Sequence, residues 1–275
     1  MARALVHVIC PHRPVLVAML IAAGLLASPI VHTQPSPSMP ADVRAEIAPG
    51  GRLRAALNYS NFLLVSKRTP DHEGVAPDLA RELARRAGAT VEFVGYENAG
   101  LVADAARDRA WDVAFIGAEP ARADVISFTP AYVEIEATYL VRGDAPFKAA
   151  ADLDRDGVRI ATTGRAAYTL FLQRTLRHAT IVEVDGIQGS FDAFAKGGYD
   201  ALAGLTPRLL DDVTQIPGAR LVPGRFTAVQ QSMAVRNDRR AAAAYLTAFA
   251  AEIRTSGLLA SLIAKHQARG LMIAK

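Results

Sequence analysis

Cysteine is almost missing from this chain: Cys10 is the single one in 275 residues. Everything beyond residue 10 is therefore closed to thiol nucleophiles, disulfides and cysteine metal sites. The six histidines, at 7, 12, 32, 72, 178 and 266, include no pair at metal-ligand spacing. No G-x-S-x-G, P-loop or complete G-x-G-x-x-G occurs, so neither a serine hydrolase nor a nucleotide enzyme is advertised. Long apolar runs are missing too. The longest, Val15 to Leu26 (VLVAMLIAAGLL), falls short of the roughly 20 residues that a membrane-spanning helix needs. With Arg3 and Arg13 before it and Ala27 and Ser28 after it, it predicts a secretory signal cleaved between Ala27 and Gln34. Cys10 lies ahead of that run, the wrong place for a lipoprotein cysteine. A basic run is also lacking. Removing residues 1–33 takes away two arginines and no acids, so 31 − 27 = +4 becomes 29 − 27 = +2. Scattered charge of that size gives no reason to expect a nucleic-acid partner.

What is present is alternation. TQPSPSMPADVRAEIAPGG reads as a flexible tether over 34–50. From Gly51, RLRAAL predicts a strand and VAPDLARELARRAGA a helix, with Pro77 and Asp78 in the first turn, Leu79 and Leu83 on one face and Gly88 as the stop. TVEFVGY and WDVAFI are strands around a helix over LVADAARDRA. The order then repeats: GVRIATT, TIVEVD, YDALAGL and RLVPGRF as strands, with helices over AAYTLFLQRTLR, SFDAFAKGG and TPRLLDDV. Two α/β units in series follow from this pattern. EIEATYLVRGD and AVQQSMAVRND are β-prone runs that connect the units, and only helix follows the second. The expected layout is a signal peptide over 1–33, a first lobe over 51–137 and 236–275, and a second lobe over 138–235, with a cleft between them.

In order and spacing, GRLRAALN, GVAPDLARELARRAGATVEFV, WDVAF, RADVISFTPAY from Arg122, ADLDRDGVRIATT and AVRND resemble the amino-acid-type (family 3) periplasmic solute-binding proteins of ABC importers. The resemblance runs from Gly51 to about Ala268. It implies an α/β, type II-like two-lobed periplasmic binding protein fold, each lobe a sheet flanked by helices, with two hinge crossings. It also implies a periplasmic monomer that captures a small carboxylate-bearing solute, an amino acid or related organic acid, and docks on an ABC permease in the inner membrane. No cofactor, metal or catalytic residue is expected.

The resemblance assigns Arg122 to the ligand carboxylate, a role that suits a planar fork of donors. Thr163 and Gly164, between a strand and a helix start, are expected to offer a hydroxyl and backbone N–H groups to the same carboxylate. Two departures stand out. The aspartate that usually takes the ligand ammonium is replaced at Leu205, and the usual aromatic positions fall at Asn61 and Asn98, with Tyr59 and Tyr96 as neighbours. A pocket of Asn58, Asn61 and Asn98, with Tyr59 beside it, is polar rather than stacking. Glu119, brought next to Arg122 by a shortened loop, either replaces the missing aspartate or occupies Arg122 until a ligand displaces it. Exported cyclohexadienyl dehydratases resemble the same family and would need a cleft acid, Glu119 or Glu136. A sensing or accessory module acting on a protein partner is the third class. DLDRDG (Asp152 to Gly157) opens like a calcium loop, but its twelfth position is Thr163 rather than a glutamate, so an ordinary surface turn is expected.

Overall fold

The computed structural model describes residues 39–275. The expected signal segment lies outside the described residues. A short helix α1 (Ala41–Ile47) leads into the first α/β run: β1 (Arg52–Asn58), α2 (Val75–Ala87), β2 (Thr90–Tyr96), α3 (Ala99–Asp104), β3 (Val113–Gly117) and β4 (Ile126–Phe128). The crossing strand β5 (Val133–Val141) opens the second run: β6 (Arg159–Thr163), α4 (Ala167–Thr175), β7 (Thr180–Val184), α5 (Ile187–Lys196), β8 (Ala201–Leu205), α6 (Thr206–Asp212) and β9 (Arg220–Leu221). The return strand β10 (Thr227–Arg236) is followed by α7 (Arg240–Thr255), α8 (Leu258–Lys265) and β11 (Met272–Ile273).

The sheet path is β2-β1-β3-β10-β5-β8-β6-β7. Pairing is parallel within β2-β1-β3 and within β8-β6-β7, and antiparallel where β10 and β5 join the two halves. Each crossing strand changes partner part-way. Ala137 of β5 pairs with Thr227 and also with Leu205, while Gln231 of β10 pairs with Val133 and also with Gly117. Those two residues mark where the chain passes from one lobe to the other.

Local chemistry accounts for the elements. In α2, Leu79 and Leu83 are fully buried, and Gly88 closes the helix in the left-handed region at φ +61°, where a side chain would be strained. Burying each such leucine stabilises the fold by about 1.5–3 kcal/mol. Helix α3 starts two residues ahead of the expected 101–110, where Asn98 caps it by accepting the Leu101 N–H, and it ends already at Asp104. The expected strand over RLVPGRF is reduced to the two residues of β9, as Pro223 and Gly224 interrupt the ladder.

The expected tether over 34–50 is corrected in its second half. Met39, Val43 and Ile47 are buried in the same core cluster as Leu246 and Phe249 of α7, and the Glu46 carboxylate accepts the Ala242 N–H at 2.8 Å. Val43 and Ile47 are four apart, so one turn of helix puts both on the buried face.

Candidate functional site

The parallel strands of both halves end at one crevice. Asn58, Gly117, Thr163 and Leu205 are the last residues of β1, β3, β6 and β8, and all four line one cavity. This is where an open α/β sheet leaves room for a ligand. The cavity volume is small, about 40 Å³, and the cavity opens to solvent. Its wall also includes Ala99, Ala167 and Ile187, the first residues of α3, α4 and α5. Leu205 sits at the N-cap of α6. Ala166, the N-cap of α4, offers no side-chain cap, so the helix's first N–H groups receive no side-chain acceptor. The starts of α4 and α5 thus face the cavity without side-chain caps, beside the shorter α3, which Asn98 already caps, and α6, and no charged side chain is among the residues that line it.

The polar groups of the wall differ in what they have left to offer. Asn58 Oδ1 accepts from Ser60 N and Oγ at 3.2 and 2.8 Å, and Asn98 Oδ1 holds the Leu101 N–H at 3.0 Å. Thr163 Oγ1 meets Ser190 Oγ at 3.0 Å. The Gly164 N–H is donated to the Val184 carbonyl at 2.9 Å, so the backbone donor expected there for a carboxylate is engaged within the second lobe. In contrast, Asn61 Oδ1 and Gln231 Oε1 are buried with no hydrogen-bond partner. The residues themselves are 5% and 3% exposed, and both line the cavity. A buried polar atom without a partner is rare and needs an explanation.

Two of the expected residues lie beside the cavity rather than in it. Arg122, 4% exposed, donates Nη1 to the Gly117 carbonyl at 2.5 Å and Nη2 to the Arg165 carbonyl at 3.0 Å. Its charge sits directly behind the Gly117 wall and bridges the two halves. Burial pushes its pKa down to about 10, against the opposing pull of Glu119, so it stays protonated at neutral pH. Glu119 is bound neither to Arg122 nor into the cavity: its carboxylate pairs with Arg174 of α4 across the cleft. Burial raises the Glu119 pKa, and Arg174 and Arg122 oppose that.

Tyr59 turns away from the cleft altogether. Its hydroxyl lies 2.6 Å from His72 Nε2, and its ring covers Gly95 so closely that a Cβ there would come within 1.9 Å. Asn58 and Tyr59 are consecutive at a strand end, and period-two alternation sends them to opposite sides.

Arg165 completes the bridging. Its backbone is left-handed, φ +59°, and its Nη2 reaches the Gly100 carbonyl at 3.0 Å and Asp104 Oδ1 at 2.8 Å in the first half. A Cβ on Gly100 would meet Arg165 Nε at 2.4 Å, so glycine is what permits this approach. Gly117 does the same deeper in the cleft, where a Cβ would lie 2.9 Å from Ala167 Cβ.

The acids of DLDRDG are used locally. Asp152 accepts the Lys148 and Ala149 N–H groups, and Asp154 those of Arg177, His178 and Ala179. Among the described residues no group of three or more His, Cys, Asp or Glu could hold a metal ion.

The fold and cavity agree with the sequence family whose profile matches residues 55–268: bacterial extracellular solute-binding proteins, family 3. The chain belongs to that family. No curated protein matches this member. Among solved structures, a mutant of ArgBP from T. maritima is 22% identical with a TM-score of 0.67, covering 82% of this chain and 100% of its own. The ancestral amino acid-binding protein AncCDT-1, described as a precursor of cyclohexadienyl dehydratase, is 21% identical with a TM-score of 0.64 and covers 78% and 95%. The periplasmic VFT2 domain of Bordetella pertussis BvgS is 21% identical with a TM-score of 0.67 and covers 84% and 99%. At such identities the likeness shows the two-lobed fold of this family member and not its ligand.

Gln231 was not legible as a site residue, although a glutamine pair inside the β-prone run AVQQSMAV was an available signal. Ser60, Tyr168, Ile187 and Val229 also line the cavity, and nothing in their sequence context separates them from core or loop residues.

Proposed function

We propose that this protein is the periplasmic solute-binding component of an ABC importer and captures a small carboxylate-bearing solute between its lobes. The observation that carries this reading is the pair of uncapped helix starts, Ala167 and Ile187, with the buried Arg122 guanidinium behind Gly117, around one cavity whose lining includes no acid. Helix N-termini stabilise anions through unpaired donors and the positive dipole end. The Arg122 guanidinium behind Gly117 adds a full positive charge to the same wall. A solute that touches Thr163 and Ala167 on one side and Asn58 and Gly117 on the other favours the closed form, because it gains contacts only there. That closed form is the one expected to dock on the permease.

The lining also supports binding rather than turnover. A dehydratase on this fold would need a carboxyl group in the cleft, whereas Glu119 faces Arg174 and Glu136 faces Arg225. The test is a set of thermal midpoints on protein freed of solute by unfolding and refolding, across amino acids and their hydroxy, oxo and unsubstituted acids. A solute at 100 times its dissociation constant adds about 2.7 kcal/mol, enough to move the midpoint by several degrees. No shift with any carboxylate would sink the proposal, and turnover of prephenate would replace it with an enzyme.

A further inference from the structure

A second crevice between the halves carries positive charge with too little to balance it. Three arginines line it from three separate elements: Arg107 in the turn after α3, Arg122 in the turn between β3 and β4, and Arg165 ahead of α4 in the second half. Asp104 is the one acid among the described residues of its wall. The crevice has a volume of about 170 Å³, larger than the solute cavity, and the two share no lining residue.

Asp104 cannot serve three guanidinium groups. It lies 2.8 Å from Arg165 Nη2 but 4.0 Å from Arg107 Nη1. Arg122, 4% exposed, has the carbonyls of Gly117 and Arg165 as its hydrogen-bond partners. Burial lowers its pKa, Glu119 opposes this from its own pair with Arg174, and the like charge of Arg165 lowers it again. Three positive charges against one negative leave two in excess. Charges held together away from water are costly unless an opposite charge meets them. A monovalent anion balances half of the excess. A doubly charged tetrahedral oxyanion balances all of it, and its several oxygens can accept paired N–H groups from guanidinium planes on different elements.

We propose that this crevice is a second anion site, which takes inorganic sulfate or phosphate between Arg107 and Arg122 of the first half and Arg165 of the second. It stands apart from the solute cavity and does not depend on which solute fills that cavity. Its cations come from both halves, so the oxyanion gains all its contacts only when the halves are together, and it braces the closed form.

Calorimetric titration of the solute-free protein with sulfate, and separately with phosphate, tests this at an ionic strength held constant with chloride. One oxyanion binds per chain, and a saturating amount raises the thermal midpoint above the chloride control. Arg107 is 63% exposed in its side chain, so its replacement leaves the core untouched. Arg107→Glu weakens the oxyanion by at least about tenfold, since a charge-assisted hydrogen bond is lost and a like charge is added. Arg107→Lys keeps the charge and most of the affinity. Arg44→Glu, the same change of charge at an exposed position on α1, leaves the oxyanion within about twofold. The best acid of the carboxylate panel still binds beside a saturating oxyanion. No uptake of either oxyanion beyond the chloride control overturns the proposal. Equal weakening by Arg107→Glu and Arg44→Glu does so too, because it means diffuse attraction to the whole chain. One-for-one displacement of the oxyanion by the panel acid puts both in the solute cavity, which overturns the second site and leaves the carboxylate reading standing. Oxyanion binding lost in Arg107→Glu, with silence across the carboxylate panel, supports the second site and sinks only the reading of the first.

Discussion

Gly117 is the point where the account is most easily broken by one methyl group. It ends β3, which is held on one side by β1 and on the other by β10, so its backbone has little freedom to retreat. A Cβ built there lies 2.9 Å from Ala167 Cβ and 3.0 Å from Val229 Cγ1, against the 3.5–4.0 Å or so of a comfortable carbon contact. Ala167 starts α4 on the far side of the cleft, and the Ala167 clash can be relieved by moving the lobes apart. The cost of Gly117→Ala therefore falls on the closed form. Overpacking of this kind costs about 1–3 kcal/mol, and a loss of 1–2 kcal/mol corresponds to roughly 5- to 30-fold weaker binding. The Val229 contact, on the neighbouring β10, persists in the open form, so the midpoint without solute moves less than the affinity does. Calorimetry with the best acid of the panel gives the affinity, and a melt without solute gives the stability. Unchanged affinity would refute the argument, as would a solute-free midpoint lowered by several degrees, which would place the strain inside one lobe.

Other expectations follow from the same geometry. Asp112, whose side chain is fully buried, accepts the Arg54 backbone N–H and two guanidinium N–H groups at 2.8–3.0 Å. Asp112→Ala removes those three hydrogen bonds, but Arg54 is partly exposed and can be hydrated, so the cost in urea unfolding should be about 1–3 kcal/mol. Burial alone would raise the Asp78 pKa, but hydrogen bonds from Lys265, His266 and Arg81 prevail and lower it below its ordinary 3.8. Its contribution is then present above that value and lost as the pH falls through the depressed folded pKa. Asp78→Asn should flatten the loss of urea stability below about pH 4, and an unchanged slope would count against this. Tyr132 is fully buried with an unpartnered hydroxyl. Tyr132→Phe should be neutral or stabilising by about 1 kcal/mol in the same assay, and a clear loss would mean the hydroxyl has a partner.

The succession of elements could be read because each carries its own punctuation. Pro77, Asp78 and Gly88 bound α2 as expected, and the two β-prone runs are the two crossings. The helix at Ala41–Ile47 was hidden because the prolines and serines before it dominate the composition, although Val43 and Ile47 already had helical spacing. In the site, Asn58, Asn61, Asn98, Thr163 and Gly164 meet at one cavity. The placements of Arg122 and Glu119 were not legible. Arg122 binds the carbonyls of Gly117 and Arg165, and backbone groups leave no residue-type signal. The partner of Glu119, Arg174, is 55 residues away in sequence. Gln231 faces the cavity only because β10 changes partner at that residue, a matter of sheet register rather than composition.

The central claim is that a carboxylate is held among the helix starts with Arg122 behind them. It is tested most directly by titrating the best acid of the panel beside its carboxamide, which keeps the shape and removes the charge. The account predicts that the acid binds one-to-one and the carboxamide at least about tenfold more weakly, since charge-assisted hydrogen bonds are roughly twice as strong as neutral ones. A carboxamide that binds as tightly as its acid would contradict it.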